Sequence, residues 1–358
     1  MNPYQIFRPI IFKLDPENAH NLAINFLKFL PQFSALLTLN KNYENLNQKL
    51  FGLDFLNPIG MAAGFDKNAQ VALTLEKFGF GFIEAGTVTP KAQAGNEKPR
   101  MFRLKEDGAI INRLGFNNLG SEVFAQNIDK IIGKISCPIG INIGKNKDTQ
   151  NAIEDYLFLL EKFYQKASYI TINISSPNTK NLRDLQNKEQ LDLFLNEIKN
   201  KKNQLKNLHQ KDVAILVKLA PDLSNQEQEE IAEIIVKNQV DGLIISNTTI
   251  DRNLNLKSSY ALENGGLSGL PLFEKSNEVL KNFYKLTNKK IPIIGVGGIS
   301  CADDVYTKIK LGASLTQIYS TFIYQGFGAV EKIKKDLSKL VEKDGFKNIS
   351  QSIGVLSN

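Results

Sequence analysis

From residue 50 onward the chain repeats one alternation: a short apolar run, then a longer amphipathic stretch. The eight runs are 58–62, 82–86, 139–143, 169–174, 214–218, 242–246, 293–296 and 315–319. Buried strands alternating with helices predict a parallel sheet. Eight of them in about 290 residues suit a closed (β/α)8 TIM barrel better than an open doubly wound sheet. A length of 358 residues also admits two domains, but one barrel accounts for it. Ser224 with Glu227 has the spacing of a capping box, and Ser300 with Asp303 a weaker version of it. Val330, Ile333, Leu337 and Leu340 form a last helical stripe before Gly345.

The ends of the runs carry the functional signal. In order they are Ala62-Ala63-Gly64-Phe65-Asp66-Lys67, Gly86-Thr87, Asn142-Ile143-Gly144-Lys145, and Asn173-Ile174-Ser175-Ser176-Pro177-Asn178-Thr179. Lys218, Ser246-Asn247-Thr248-Thr249, Gly297-Gly298 and Tyr319-Ser320 complete the set. In a barrel all of these termini meet on one rim, where barrel enzymes keep their chemistry. Gly297-Gly298 lets the backbone approach a ligand closely, and Ser300 opens a helix whose first N–H groups can hold an anion. A phosphorylated ligand is therefore expected after the last two strands, against the alternative that these glycines only make tight turns.

Residues 1–40 differ from the rest. Pro9 suits the first turn of a short helix carrying Ile10, Ile11, Phe12 and Leu14. Asp15-Pro16-Glu17 reads as an N-cap, a Pro at the first helical position and an acid against the helix dipole. The second helix is predicted to run to Leu30, with Pro31 ending it. Ala19, Leu22, Ala23, Phe26, Leu27 and Leu30 share one face, and Phe29, Phe33, Leu36 and Leu37 widen the apolar surface. The segment carries a net charge of only +1, so any membrane attraction must be mostly apolar. The alternative is a helical pair packed flat on its own domain.

Composition removes many chemistries. Two Cys, 137 and 301, make no disulfide framework, and two His, 20 and 209, leave little room for His triads or zinc sites. No metal site is expected. The net charge of +7 comes from a Lys-rich composition; only six of 44 basic residues are Arg, and five of those lie beside the Gly/Asn-rich motifs. The densest basic stretch, 199–211, reads as a solvated helix face, and no basic stripe interleaved with aromatics points to nucleic acid. No run of 18 apolar residues and no signal peptide are visible. Near the rim the acids are few, Asp66 and Glu84, while Asn, hydroxyls, Lys67, Lys218 and Arg113 are plentiful. Asn amides match a planar heterocycle of donors and acceptors, and a buried Lys can stabilise a negatively charged ring such as a reduced flavin. With no strong electrophile of its own, the protein needs a cofactor for the hard step.

The strings NPIGMAAGFDKN (57–68), EAGTVTPKAQAGNEKPRMFRL (84–104), INRLGFNN (111–118), GINIGKNK (140–147), NISSPNTKNLR (173–183), SNTTIDR (246–252), GGLSG (265–269) and IPIIGVGGI (291–299) resemble those of dihydroorotate dehydrogenases. The resemblance covers roughly 4–330. It is to the class 2, membrane-associated, quinone-using type, through the N-terminal helical segment with LDPENAH (14–20) and a Ser at the base position. It implies FMN in the barrel and oxidation of dihydroorotate to orotate in pyrimidine synthesis. Ser176 matches the base, in preference to its neighbour Ser175, with Thr179 on the relay and Phe116 walling it. Lys67, Asn112, Asn178, Asn247 and Thr248 match substrate positions; Arg113, Leu114, Gly115 and Phe116 line the same pocket, and Asn173 is shared with the flavin. Ala63, Gly64, Thr87, Asn142, Lys218, Ser246, Gly269, Gly298, Tyr319 and Ser320 match FMN positions, with Lys218 near the flavin N1/O2 edge. His20, Arg103 and Tyr319 match a quinone tunnel.

This divides the chain into a membrane and tunnel segment, 1–40, and an FMN barrel, 41–358. The expected protein is a monomer, peripheral on the cytoplasmic face of a bacterial inner membrane. The 179–187 segment, with Arg183, is expected to be a mobile lid over the substrate. Two other readings stay open: a class 1 enzyme with a soluble acceptor, and a non-catalytic protein that binds membrane or RNA through its basic surface.

Overall fold

The computed structural model describes residues 3–30, 41–179 and 182–357. Pro31, Phe33, Leu36 and Leu37, and positions 180–181 of the expected lid, lie outside the described residues. All eight apolar runs form strands: β1 (Ile59–Met61), β2 (Phe82–Val88), β3 (Ile139–Ile143), β4 (Tyr169–Asn173), β5 (Ala214–Leu219), β6 (Gly242–Ile245), β7 (Ile293–Val296) and β8 (Ala313–Ile318). They pair in parallel in chain order, and β8 closes on β1. The fold is a (β/α)8 barrel.

Alternation within each strand builds two cores. Ile83, Ile141, Ile170 and Ile172 face outward, onto the helices. Phe82, Tyr169, Leu216, Ile244, Ile294 and Leu315 face inward and fill the lower barrel. A hairpin of Gln48–Leu50 and Leu53–Phe55 stops the N-terminal mouth, its Phe55 edge-on to Phe82 at 5.4 Å. One inward step higher the side chains become polar: Glu84, Asn142, Thr171, Lys218 and Gln317 are all buried.

Counted after two N-terminal helices, the outer helices are α3 (Ala72–Lys77), α4 (Gly120–Ile131), α5 (Ala152–Phe163), α6 (Lys188–His209), α7 (Asn225–Lys237), α8 (Phe273–Leu286) after β6, α9 (Ala302–Lys310) after β7, and α10 (Ser320–Gln325) with α11 (Ala329–Lys343) after β8. The Ser224–Glu227 capping box forms. The other moves on by one: Cys301 is the N-cap of α9, and the Asp304 carboxylate accepts from the N–H groups of Ser300 and Cys301. Asp304 reaches both amides from one turn inside the helix.

Two helices precede the barrel, α1 (Pro3–Ile11) and α2 (Pro16–Phe29). Asp15 caps α2 as expected, accepting from the N–H groups of Glu17 and Asn18. Pro9 does not open α1 but sits inside it, near its end. At that position it forfeits one helical hydrogen bond. Contacts with the barrel hold the earlier turns, because Tyr4 donates to the Ile323 carbonyl at 2.5 Å and Arg8 to that of Tyr324 at 3.1 Å. Over the C-terminal rim lies an antiparallel roof of Met101–Leu104, Ala109–Asn112 and Gly266–Gly269.

Candidate active site

The polar run ends converge on the C-terminal rim around one cavity. Nineteen of the expected site residues line it: Ala63, Gly64, Lys67, Thr87, Asn112, Leu114, Gly115, Phe116, Asn173, Ser176, Asn178, Lys218, Ser246, Asn247, Thr248, Gly269, Gly298, Tyr319 and Ser320. Positions spread over more than 250 residues meet because each follows a strand of the same closed barrel or belongs to the roof above it.

The floor is a network that starts at Glu84. Its carboxylate accepts from Asn142 Nδ2 at 2.7 Å, Gln317 Nε2 at 2.8 Å and Tyr169 Oη at 3.2 Å. The Asn142 oxygen then accepts from Thr87 Oγ1 at 2.6 Å and Asn173 Nδ2 at 3.1 Å. Asn142 is therefore one bond behind the cavity wall, fixing residues that line it. Gln317, which lines the cavity too, carried no signal of its own in the sequence beyond being a polar residue inside a buried run.

Among the described residues, Lys67 and Lys218 are the only charged ones in the lining. Lys218 Nζ makes no hydrogen bond or ion pair among the described residues, and burial lowers its pKa, with Glu84 opposing. Burial also pulls Lys67 down to about 8, opposed by Glu17 and helped by Arg100. Buried cations without partners are costly and point to an anionic or electron-rich occupant.

Ser176 Oγ lines the cavity and accepts from the Asn178 N–H at 3.3 Å. Its neighbour Ser175 is fully buried and engaged elsewhere, accepting from Asn247 Nδ2 at 3.0 Å and bonded to Asn173 Oδ1 at 3.2 Å. Thr179 is not in the lining, but its buried Oγ1 has no hydrogen-bond partner among the described residues. Arg113 turns away: its guanidinium pairs with Glu263 at 2.7 Å and lies over the Phe102 ring at 4.7 Å. Of residues 113–116, only Leu114, Gly115 and Phe116 line the cavity. Arg183, expected in a mobile lid, instead bonds the Ser175 and Thr248 carbonyls and Asp222, each at 3.0 Å. It ties the loop after β4 to the loop after β6.

His20 and Arg103 lie in a second cavity of about 610 Å³, between α1, α2 and the barrel. Its walls are apolar, with Ala19, Leu27, Phe65, Met101 and Phe322 among them. Arg103 donates to the Leu14 carbonyl and lies over the Phe12 ring at 4.6 Å. Burial, helped by Lys67, holds the His20 imidazole down to about 3, so the ring is neutral in ordinary buffers. Phe65 joins the two cavities: its ring meets His20 edge-on at 5.3 Å and Tyr319 at 6.3 Å. Tyr319 lines the first cavity, and burial pushes its phenol up to about 12.

A model of the dihydroorotate dehydrogenase family matches residues 45–341. The chain belongs to the dihydroorotate dehydrogenase family. A dihydroorotate dehydrogenase (quinone) of Idiomarina loihiensis is 46% identical over 93% of this chain and 100% of its own length. That of Neisseria meningitidis serogroup C is 48% identical over 94% of this chain and 98% of its own. A crystal structure of DHODH from Eimeria tenella in complex with ferulenol superposes with a TM-score of 0.90, at 38% identity and 95% coverage of both chains. Membership of the dihydroorotate dehydrogenase family implies a flavin cofactor. The first cavity fits one: a buried Lys218 and a half-buried Lys67, neither with an ion pair among the described residues, ordered amides, and glycines at Gly64, Gly269 and Gly298 with φ of +99°, +104° and +74° that bring the backbone close.

Proposed function

We propose that this chain oxidises dihydroorotate to orotate in pyrimidine biosynthesis, with FMN in the barrel and a membrane quinone as final acceptor. The observation that carries the quinone reading is the apolar cavity under α1 and α2, joined through Phe65 to the wall of the polar cavity. FMN would supply a two-electron acceptor that takes a hydride from the substrate and delivers electrons to the quinone.

The protein's own groups supply the rest. Lys67 offers a cation to the substrate carboxylate, and Asn112, Asn178, Asn247 and Thr248 surround the ring. Asn178 is held there, its Nδ2 donating to the Asn112 carbonyl at 3.0 Å while its own carbonyl accepts from Asn96. Ser176 Oγ is the base toward C5 of the substrate. A hydroxyl needs an outlet for the proton it takes, and Thr179 Oγ1, three residues on, buried and without a hydrogen-bond partner among the described residues, has the free capacity of a relay. Phe116 walls this corner from water. Lys218, Thr87 and Asn173 hold the flavin ring, and Gly298, Tyr319 and Ser320 its phosphate end.

Ile6, Phe7, Ile10, Leu14, Leu22, Phe26 and Phe29 of the N-terminal segment are all exposed. Soluble surfaces rarely gather so many large apolar side chains. No helix among the described residues is long and apolar enough to cross a membrane. Together these support α1 and α2 dipping into one leaflet; that the protein does so as a monomer, on the cytoplasmic face of a bacterial inner membrane, is part of the proposal.

The test is an acceptor assay. Dihydroorotate should bleach the yellow protein, and quinone should restore the colour where fumarate and NAD do not. Recovery with fumarate or NAD in preference to quinone would support a class 1 reading instead.

A further inference from the structure

The Gly297-Gly298 loop after β7 rests on the first turn of α8. A Cβ on Gly297 would meet Ser276 Oγ at 2.9 Å, and one on Gly298 would meet Phe273 at 2.4 Å. Beneath this contact lies Lys308 of α9, with 0% of its surface exposed. Its ammonium donates to Ser276 Oγ at 2.7 Å and Asn277 Oδ1 at 2.8 Å, and sits 5.2 Å above the Phe273 ring. Ser276 Oγ in turn bonds the Gly297 carbonyl at 3.1 Å. Two hydrogen bonds thus link a fully buried cation to the loop.

That cation has no carboxylate partner among the described residues. The acids acting on it are Asp304 and Glu274, and neither forms an ion pair with it. The Asp304 carboxylate is spent on the N-cap of α9. Burial pulls Lys308 down to about 7. A bare staple between α8 and α9 would be made more cheaply by an apolar side chain. What offsets a buried ammonium is an anion. Of the two open spaces that border its partners, the one lined by Asn277 carries Asp251, Glu274 and Glu278, which disfavour an anion, and the other is the cavity across the loop. The cavity wall there offers backbone amides and the hydroxyls of Tyr319 and Ser320 but no charge: the two lining cations, Lys67 and Lys218, follow β1 and lie on β5.

We propose that Lys308 is a positioning residue for the phosphate of FMN, holding the Gly297-Gly298 loop through Ser276 and supplying the positive charge that the wall lacks. This rests on the FMN reading above.

The experiment is a titration of full-length protein, stripped of flavin, with FMN and with riboflavin, which lacks the phosphate. The wild type should bind FMN more tightly. Lys308→Met keeps the bulk and removes the charge; the ratio of the two affinities should fall about tenfold, with riboflavin binding unchanged. Ser276→Ala cuts the link and keeps the charge, and a smaller fall of about threefold is expected. If Lys308→Met does not fold, Ser276→Ala decides. An unaltered ratio, or equal loss of both ligands, would reduce Lys308 to a structural staple and overturn the inference. A wild type that binds neither flavin would instead overturn the FMN reading, and this inference with it.

Discussion

Lys67 is the residue whose chemistry is most exposed to test. As a cation whose pKa is lowered to about 8, it is charged below that pH and neutral above it. Binding of an anionic substrate favours the charged form. The KM for dihydroorotate should therefore rise as pH climbs through about 8, and in Lys67→Met it should be high at every pH without that inflection. Initial rates across pH 6–10 would show it; a flat KM in the wild type would remove Lys67 from substrate binding. At Ser176, replacement by Ala should cost about 10²–10⁴-fold in rate at neutral pH while the protein stays yellow. Wild-type turnover would reassign the base. The run ends were legible as a group because every one follows a strand of a closed barrel. Individual directions were not. Nothing local tells that Arg113 turns toward Glu263, a partner 150 positions away. Gln317 was obscured for a different reason: inside a barrel an alternate strand position faces the interior, so a polar residue within an apolar run can be part of the site floor, as Glu84 also is.

At the scale of elements, α2 is joined to the barrel by a buried pair, with Glu17 accepting from Arg100 Nη2 at 2.6 Å and Nε at 3.0 Å. Arg100 also bonds the Ala94 and Asn96 carbonyls, each at 2.6 Å, and Asn96 holds the Arg113 and Asn178 carbonyls. The acid expected to face a helix dipole is thus a strut between α2 and the loops around the polar cavity. Glu17→Gln leaves a buried guanidinium half-paired and should destabilise the fold by about 3–5 kcal/mol, read as a lower Tm. Arg100 holds the Glu17 pKa below its ordinary 4.5. A lowered folded pKa means that the pair stabilises above pH 4.5 and that this contribution fades as pH falls further, so the Tm difference between wild type and variant should shrink in acid. An equal Tm at pH 7 would show that the strut bears no load. Deleting residues 1–40 should leave a yellow barrel that dihydroorotate still bleaches but long-chain quinone no longer restores. The deletion should also abolish co-sedimentation with lipid vesicles, since each exposed apolar side chain contributes about 1.5–3 kcal/mol when buried. Unchanged quinone reduction would contradict the tunnel. The α2 helix was legible through its Asp-Pro start, but the roof sheet was not. Its strands come from different loops, and Gly266–Gly269 pairs with Ala109–Asn112 across more than 150 residues without a periodic pattern.

At the scale of the whole molecule, the fold separates two solvents around one ring-shaped site. The polar cavity under the roof would take an anion from water, on the proposed function, and the apolar cavity lies beside the exposed apolar side chains of α1 and α2. The barrel between them was readable because eight buried strands allow few closures. The apolar cavity was legible only through the family resemblance at His20 and Arg103, because it is enclosed by helices packed against distant barrel residues such as Phe65 and Phe322. On the proposed function, electrons would pass in two steps through one flavin. Stopped-flow absorbance of the purified full-length protein tests this most directly: dihydroorotate should bleach the flavin band without quinone, and a following pulse of quinone should restore it. A flavin that dihydroorotate leaves oxidised, or that stays bleached after quinone is added, would contradict the account.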